Sequence, residues 1–198
     1  MTLFVKICGL ATGADVETAV AAGADAVGFV FAESVRRVLP ADAAGAVRLA
    51  PSGILRVAVM HHPTGAEWRS VLDGFGPDVL QTDAEDFETL EIPDSVVTWP
   101  VYREGGAAPP DRLAGTWLYE GPASGRGLTV DWTRAAALAA RGRMILAGGL
   151  TPDNVGTAVA RVAPWGVDVS SGVEVAPGRK DPALVHQFIR AARAAERS

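Results

Sequence analysis

Cys8 is the only cysteine in the chain and ends a short apolar run, Leu3-Phe4-Val5-Lys6-Ile7-Cys8, that carries one lysine. Alternate side chains of an extended strand share a face, so Phe4, Lys6 and Cys8 point one way and Leu3, Val5 and Ile7 the other. The wholly apolar set belongs against helices, which turns Lys6 and Cys8 toward the opposite side. A neighbouring ammonium lowers a thiol's pKa from about 8.5 toward neutrality. A thiolate serves as a general base as well as a nucleophile. The competing reading is a small buried hydrophobe, a common fate of free cysteine. Lys6 needs a counter-charge of its own. Asp168, which shares its parity with Ser170 in Val167-Asp168-Val169-Ser170, supplies one if the first and last strands are neighbours. We expect a Lys6–Asp168 pair, structural or catalytic.

A second chemistry is written in small residues. Gly148-Gly149 and Ser170-Ser171-Gly172 each follow an apolar run and precede a helical segment. Small side chains let backbone N–H groups approach an oxyanion, and a following helix N-terminus adds its positive end. Tight turns alone explain the glycines of either loop. Finding the feature on both loops favours a phosphate site. The helices after them look well punctuated: Thr151 reads as an N-cap with Pro152 at the first helical position, and Asp181 with Pro182 does the same.

The elements that must position these residues follow from alternation. Apolar runs rich in Val, Ile, Leu and Phe recur near 3–8, 25–31, 54–60, 78–82, 96–102, 115–120, 143–147 and 165–169. Segments with helical spacing lie near 13–22, 40–49, 64–74, 84–90, 132–141, 152–161 and 181–196. The stretch from Arg103 to Gly115 holds Gly105-Gly106 and Pro109-Pro110, so a fifth helix is short or missing. Strands alternating with helices predict a parallel α/β architecture. A closed barrel and an open doubly wound sheet compete. The count of strands favours a compact (βα)8 barrel, although 198 residues is short for that fold. An open-sheet nucleotide binder wants a glycine-rich turn after its first strand, and Cys8-Gly9-Leu10-Ala11-Thr12-Gly13 is a poor match. In a barrel the site lies at the C-terminal ends of the strands. That rule selects Cys8, the Ser34-Val35-Arg36 loop, Gln81 to Asp83, Glu120, Gly148-Gly149 and Ser170-Ser171-Gly172.

Composition narrows the partners. With a net charge of −5, no basic excess is available to displace counterions, which argues against a general nucleic-acid binder. A single cysteine permits no intramolecular disulfide, as suits a reducing cytosol. The N-terminus has a lysine inside its apolar run and no small-residue cleavage site, so it reads as a strand and not a signal peptide. No apolar stretch approaches the roughly 20 residues of a membrane span. The expectation is one cytoplasmic domain over residues 1–198, with no nucleic-acid or membrane partner.

Taken in order, several stretches resemble the phosphoribosylanthranilate isomerases. They are Val5-Lys6-Ile7-Cys8-Gly9-Leu10, residues 23–31 with Ser34-Val35-Arg36-Arg37, residues 146–155, and residues 167–174 followed by Pro177-Gly178 and Lys180-Asp181. Residues 124–132 are similar to the family's glycine loop and its Phe-Asp-Trp segment. The resemblance implies an Amadori rearrangement of N-(5-phosphoribosyl)anthranilate to 1-(o-carboxyphenylamino)-1-deoxyribulose 5-phosphate, in tryptophan biosynthesis. It implies a phosphorylated aminoaldose as the small-molecule partner, no metal or organic cofactor, and a monomer or homodimer.

By the same resemblance Cys8 is the general base. Arg36 holds the anthranilate carboxylate, for which its fork of donors is suited. Gly148, Gly149, Asp168, Ser170, Ser171 and Gly172 line the substrate and its phosphate. The family's acid is an aspartate at the end of strand six, where this chain has Glu120. Asp131 is a fallback acid and a better helix cap. Strand four departs as well: Gln81-Thr82-Asp83-Ala84 stands where the family reads Gln-Leu-His-Gly. An inward, ionised Asp83 would repel an anionic substrate unless Arg36 or another base neutralised it. The rivals are a related aminoaldose-phosphate isomerase, including one for the histidine-pathway substrate, and a barrel that binds a phosphate ligand without turning it over.

Overall fold

The computed structural model describes residues 2–48, 50–122 and 129–196. Eight parallel strands follow the apolar runs: β1 (Phe4–Cys8), β2 (Ala26–Val30), β3 (Leu55–Val59), β4 (Val79–Asp83), β5 (Val97–Arg103), β6 (Thr116–Glu120), β7 (Arg143–Leu146) and β8 (Gly166–Val169). Each pairs with the next, and β1 also pairs with β8, so the sheet closes and the open alternative is excluded. The closing register sets Lys6 opposite Asp168.

Strand alternation divides the core in two. Leu3, Val5 and Ile7 face outward into the layer shared with the helices. Val57, Val79, Trp99, Leu118 and Ile145 fill the barrel interior. Phe4 adds to that inner cluster, stacking on Trp165 with centroids 4.7 Å apart and meeting Trp99 edge-on at 5.7 Å. The inside is thus a packed plug, and the residues chosen for chemistry lie at its C-terminal end.

The surrounding helices are α1 (Gly13–Ala22), α2 (Pro40–Val47), α3 (Gly65–Phe75), α4 (Trp132–Ala139), α5 (Val155–Val162) and α6 (Pro182–Ala195). Capping boxes start α1 at Thr12 and α3 at Thr64, each with an acid at the third helical position. Asp181 caps α6 with Pro182 at its start, as expected. Asp131 caps α4, accepting from the N–H groups of Thr133 and Arg134 at 2.7 and 3.3 Å. Among the described residues no helix is long and apolar enough to cross a membrane.

The chain departs from the periodic reading in three places. Helix α5 starts at Val155 and not at Pro152. The Asn154 side chain explains the shift: its Oδ1 accepts from the Thr151 N–H at 2.8 Å and its Nδ2 donates to the Gly149 carbonyl at 2.9 Å. Residues 151–154 are thereby latched as a turn, and Thr151 is no cap. After β4 the expected helix over 84–90 is a single 3-10 stretch, Ala84–Glu88. After β8, a short 3-10 turn (Ser171–Val173) leads into an unforeseen antiparallel hairpin, β9 (Glu174–Ala176) and β10 (Arg179–Lys180). No helix intervenes between β5 and β6 among the described residues, as the glycines and prolines there predict. The glycine loop expected from residue 124 has its first part, up to 128, outside the described residues.

Gly28 lies beside Cys8 in the β1–β2 register. A Cβ there would come within 2.9 Å of Lys6 Cε and 3.0 Å of Cys8 Sγ. Lys6 is fully buried and ion-paired, so it has nowhere to retreat. Gly28→Ala is expected to destabilise the protein by about 1–3 kcal/mol through overpacking. Urea unfolding checks this, and a midpoint equal to wild type would mean the lysine has another resting place.

Candidate active site

Strands β1 and β8 bring the first cluster together. Lys6 Nζ donates to Asp168 Oδ1 at 2.9 Å, with the lysine side chain wholly inaccessible and the aspartate 10% exposed. The expected pair therefore exists. Burial alone would lower the Lys6 pKa, but the charges of Asp168 and Cys8 more than offset it and hold the ammonium protonated. Cys8 lies in the same place and is buried. Burial pushes its thiol above the usual value, and Asp168 pushes the same way, against the opposing pull of Lys6. The expectation of a thiol lowered toward neutrality is thus overturned. The lysine's charge is shared with a carboxylate, and the desolvation of a thiolate is larger than what remains.

A second cluster spans β4, β5 and β6. Glu120 ends β6 directly opposite Arg103, the last residue of β5. Arg103 Nη2 donates to Glu120 Oε1 at 3.0 Å, and its Nη1 makes a very close contact with Asp83 Oδ1 at the end of β4. Asp83 does face the barrel mouth, and the base that neutralises it is Arg103 and not Arg36. Sequence reasoning passed over Arg103, although its parity with Trp99 and Val101 was available to mark it as inward.

The third cluster joins the loop after β2 to the hairpin after β8. Arg36 Nε and Nη2 both donate to Glu174, each at 2.8 Å. Lys180 Nζ donates to the same carboxylate at 2.7 Å and to the Ser170 carbonyl at 3.0 Å. Burial would raise the Glu174 pKa, but Arg36 and Lys180 outweigh it and hold the group below the usual range. Burial lowers the Lys180 pKa, partly countered by Glu174. Arg36 is thus already engaged, along one edge of its fork, by a residue of this chain. Neither Glu174 nor Lys180 was singled out from sequence, because only the β9–β10 hairpin folds them over Arg36.

The loops rich in small residues are neighbours. Gly148 and Gly149 have φ values of 92° and 63°, which only glycine adopts freely. A Cβ on Gly172 would lie 1.9 Å from the Leu150 carbonyl oxygen, so the loop after β8 rests on the backbone of the loop after β7. Ser170 joins the third cluster through its carbonyl and hydroxyl, and Ser171 opens the 3-10 turn that precedes β9. Of the residues selected from sequence, Cys8, Arg36, Asp83, Glu120, Asp168, Ser170 and the glycine loops gather at the C-terminal ends of the strands, whereas Thr82 turns away to bond Asp86. Those at the mouth fall into three charge-paired groups and one pair of loops.

Residues 5–191 match the family model described as N-(5'phosphoribosyl)anthranilate (PRA) isomerase. The chain belongs to this family. Its isomerase relative from Pelobacter propionicus is 38% identical over 204 residues, covering 96% of this chain and 95% of the other. The crystal structure of TrpF from Jonesia denitrificans superposes with a TM-score of 0.82 at 34% identity, covering 98% of each chain. A family structure in complex with reduced 1-(o-carboxyphenylamino)-1-deoxyribulose 5-phosphate gives 0.78 at 27% identity, over 97% of this chain and 99% of that one. The likeness runs the length of the barrel.

The charge argument at Cys8 makes a directional prediction. Asp168→Asn removes a charge that opposes thiolate formation and leaves the Lys6 ammonium unshared, so the thiol should ionise at lower pH than in wild type. Thiolate absorbance in the ultraviolet reads the midpoint, and an unchanged or higher midpoint would refute the assignment. The same change strands a buried ammonium and should cost about 3–5 kcal/mol of stability.

Proposed function

We propose that the chain catalyses the Amadori rearrangement of N-(5-phosphoribosyl)anthranilate without metal or organic cofactor, with Cys8 as general base and Glu120 as general acid. One observation carries this reading. A buried thiol beside a buried ammonium sits at the end of β1, and a carboxylate sits across the mouth at the end of β6. Ring opening followed by proton abstraction needs an acid and a base held on different walls, because the two protons move at different atoms.

In this reading the phosphate is anchored by the backbone of Gly148, Gly149, Ser171 and Gly172, at the junction of the last two loops. Arg36 meets the anthranilate carboxylate. It does so along the edge of its fork not taken by Glu174, or by exchanging Glu174 for the substrate, since Lys180 and the Gly178 N–H also hold that carboxylate. Glu120 donates its proton to the ribose ring oxygen, the ring opens, and the nitrogen lone pair forms the C1′ Schiff base. Cys8, once its thiol has lost its proton with Lys6 opposing the cost of burial, removes the C2′ proton; the electrons flow to the iminium nitrogen, and the enolamine gains a proton at C1′ and loses its C2′ hydroxyl proton to give the aminoketone. Lys6 stabilises the thiolate, and Asp168 keeps Lys6 in place. Arg103, held by Asp83, fixes the longer glutamate where the family carries an aspartate. Misplacement of a proton donor by about an ångström can cost on the order of 10²-fold in rate.

Loss of anthranilate fluorescence on mixing with freshly made substrate tests the reading. Cys8→Ser should lower kcat by at least about 10²-fold, because a serine hydroxyl is a far weaker base. Glu120→Gln should lose a similar factor, and a fully active variant would move the acid elsewhere. Arg36→Ala should chiefly raise KM, so a fall in kcat at constant KM would contradict carboxylate binding. A wild-type protein that binds the reduced product analogue but never turns over would be a binding barrel.

A further inference from the structure

At the ends of β3 and β4, the proposed mechanism leaves one group of side chains unused. His61 Nε2 and His62 Nε2 lie 3.5 and 3.7 Å from Asp83 Oδ2. All three atoms fall within 4.8 Å of one another. Donor atoms around a tetrahedral ion with bonds of about 2.1 Å are themselves about 3.4 Å apart, so small side-chain rotations suffice to close the set.

Two independent features point to a ligand. The Asp83 side chain is only 8% exposed, and its Oδ2 has no hydrogen-bond partner, while Oδ1 is taken by Arg103. A buried carboxylate oxygen without a donor is costly, and this one is aimed at two imidazole nitrogens. Then there is the way His62 is held. Asp86 Oδ1 lies 2.8 Å from His62 Nδ1, and Asp86 Oδ2 accepts from the His62 backbone N–H at 3.1 Å. Thr82 Oγ1 in turn donates to Asp86 at 2.5 Å. A carboxylate on Nδ1 fixes the tautomer that leaves the Nε2 lone pair free, the arrangement that orients metal-binding histidines. His62 is meanwhile kept at φ 46°, a backbone state that a non-glycine residue adopts only when its surroundings impose it. A surface histidine with no task needs no such support.

We propose that His61, His62 and Asp83 form a binding site for one divalent transition-metal ion of the zinc class, with Asp86 and Thr82 orienting His62. Two imidazoles and one carboxylate suit such an ion and disfavour Mg2+ and Ca2+, which take oxygen ligands. Glu85, Asp83 and Asp86 all act on His62 as negative charges, which favours a cation here. The site is a neighbour of the reaction centre: the oxygen of Asp83 not offered to the metal holds Arg103, which holds Glu120. Metal binding therefore draws charge from Asp83 and loosens its grip on Arg103. We assign the ion a modulating part and no chemical step.

Isothermal titration of the tag-free full chain with ZnCl2, in a non-chelating buffer near neutral pH, tests the site. One Zn2+ per chain is expected, with Mg2+ and Ca2+ at least about 100-fold weaker. His61→Ala and His62→Ala should each abolish saturable binding. Both side chains are half exposed, so neither variant should fail to fold. Asp86→Asn should weaken binding by about 10–100-fold. His186→Ala, an exposed residue on α6, should leave it unchanged. Co2+ should give visible d–d bands with no thiolate charge-transfer band, which separates this site from Cys8. The proposal is overturned by the absence of saturable Zn2+ binding, by binding that survives both histidine variants, or by loss of binding in His186→Ala.

Discussion

The structure depends on an ammonium that has no access to water. Lys6 is fully buried in the barrel wall, and taking such a charge out of solvent is tolerable only with a partner of opposite sign at hydrogen-bond distance. The partner lies on the last strand, in register across the seam where the sheet closes. Closure of the fold and satisfaction of the charge are thus one event. Gly28 leaves the space on the neighbouring strand that the lysine occupies, and Phe4, one pleat below, plugs the opposite end with Trp99 and Trp165. The wall that carries Cys8 is rigid because its charge leaves no freedom to adjust.

Around the rest of the mouth the same rule recurs with side chains that are mostly buried. Arg103 is shared between Asp83 and Glu120, and Glu174 is shared between Arg36 and Lys180. None of these groups makes a simple one-to-one pair. A shared ion is held in place yet can exchange a partner, since losing one contact leaves another. That property suits a mouth that receives a ligand with anionic groups at both ends, because incoming charge meets residues already desolvated and aimed.

What the sequence disclosed, and what it withheld, divides along physical lines. The barrel was legible because every strand is an apolar run, and parity alone turned Lys6, Cys8 and Asp168 inward. The start of α5 was misjudged because one side chain, Asn154, outcompetes the propensity of Thr151 and Pro152 by bonding both a backbone donor and a backbone acceptor. The segment after β4 has helical spacing but only a single 3-10 stretch of room. Glu174 was not assigned a role because its partner Arg36 is 138 positions away and meets it only across the folded hairpin, whereas strand parity alone would have marked Arg103. The direction of the Cys8 shift was misread for a related reason. A nearby lysine is visible in a sequence, whereas burial and the use of its charge by another residue are properties of the assembled fold.

The contact between Gly172 and Leu150 has a mechanical consequence. Because the loop after β8 lies flush on the backbone of the loop after β7, with no room for a single methyl group between them, the two cannot change shape independently. They behave as one jaw of fixed gauge, braced from outside by the Asn154 latch and by the Lys180 bond to the Ser170 carbonyl. Any anion gripped there meets a spacing set at folding. A descendant of this chain that came to favour an anion of another size would have to re-cut both loops at once, whereas the opposite side of the mouth, built from long side chains, can be retuned one residue at a time.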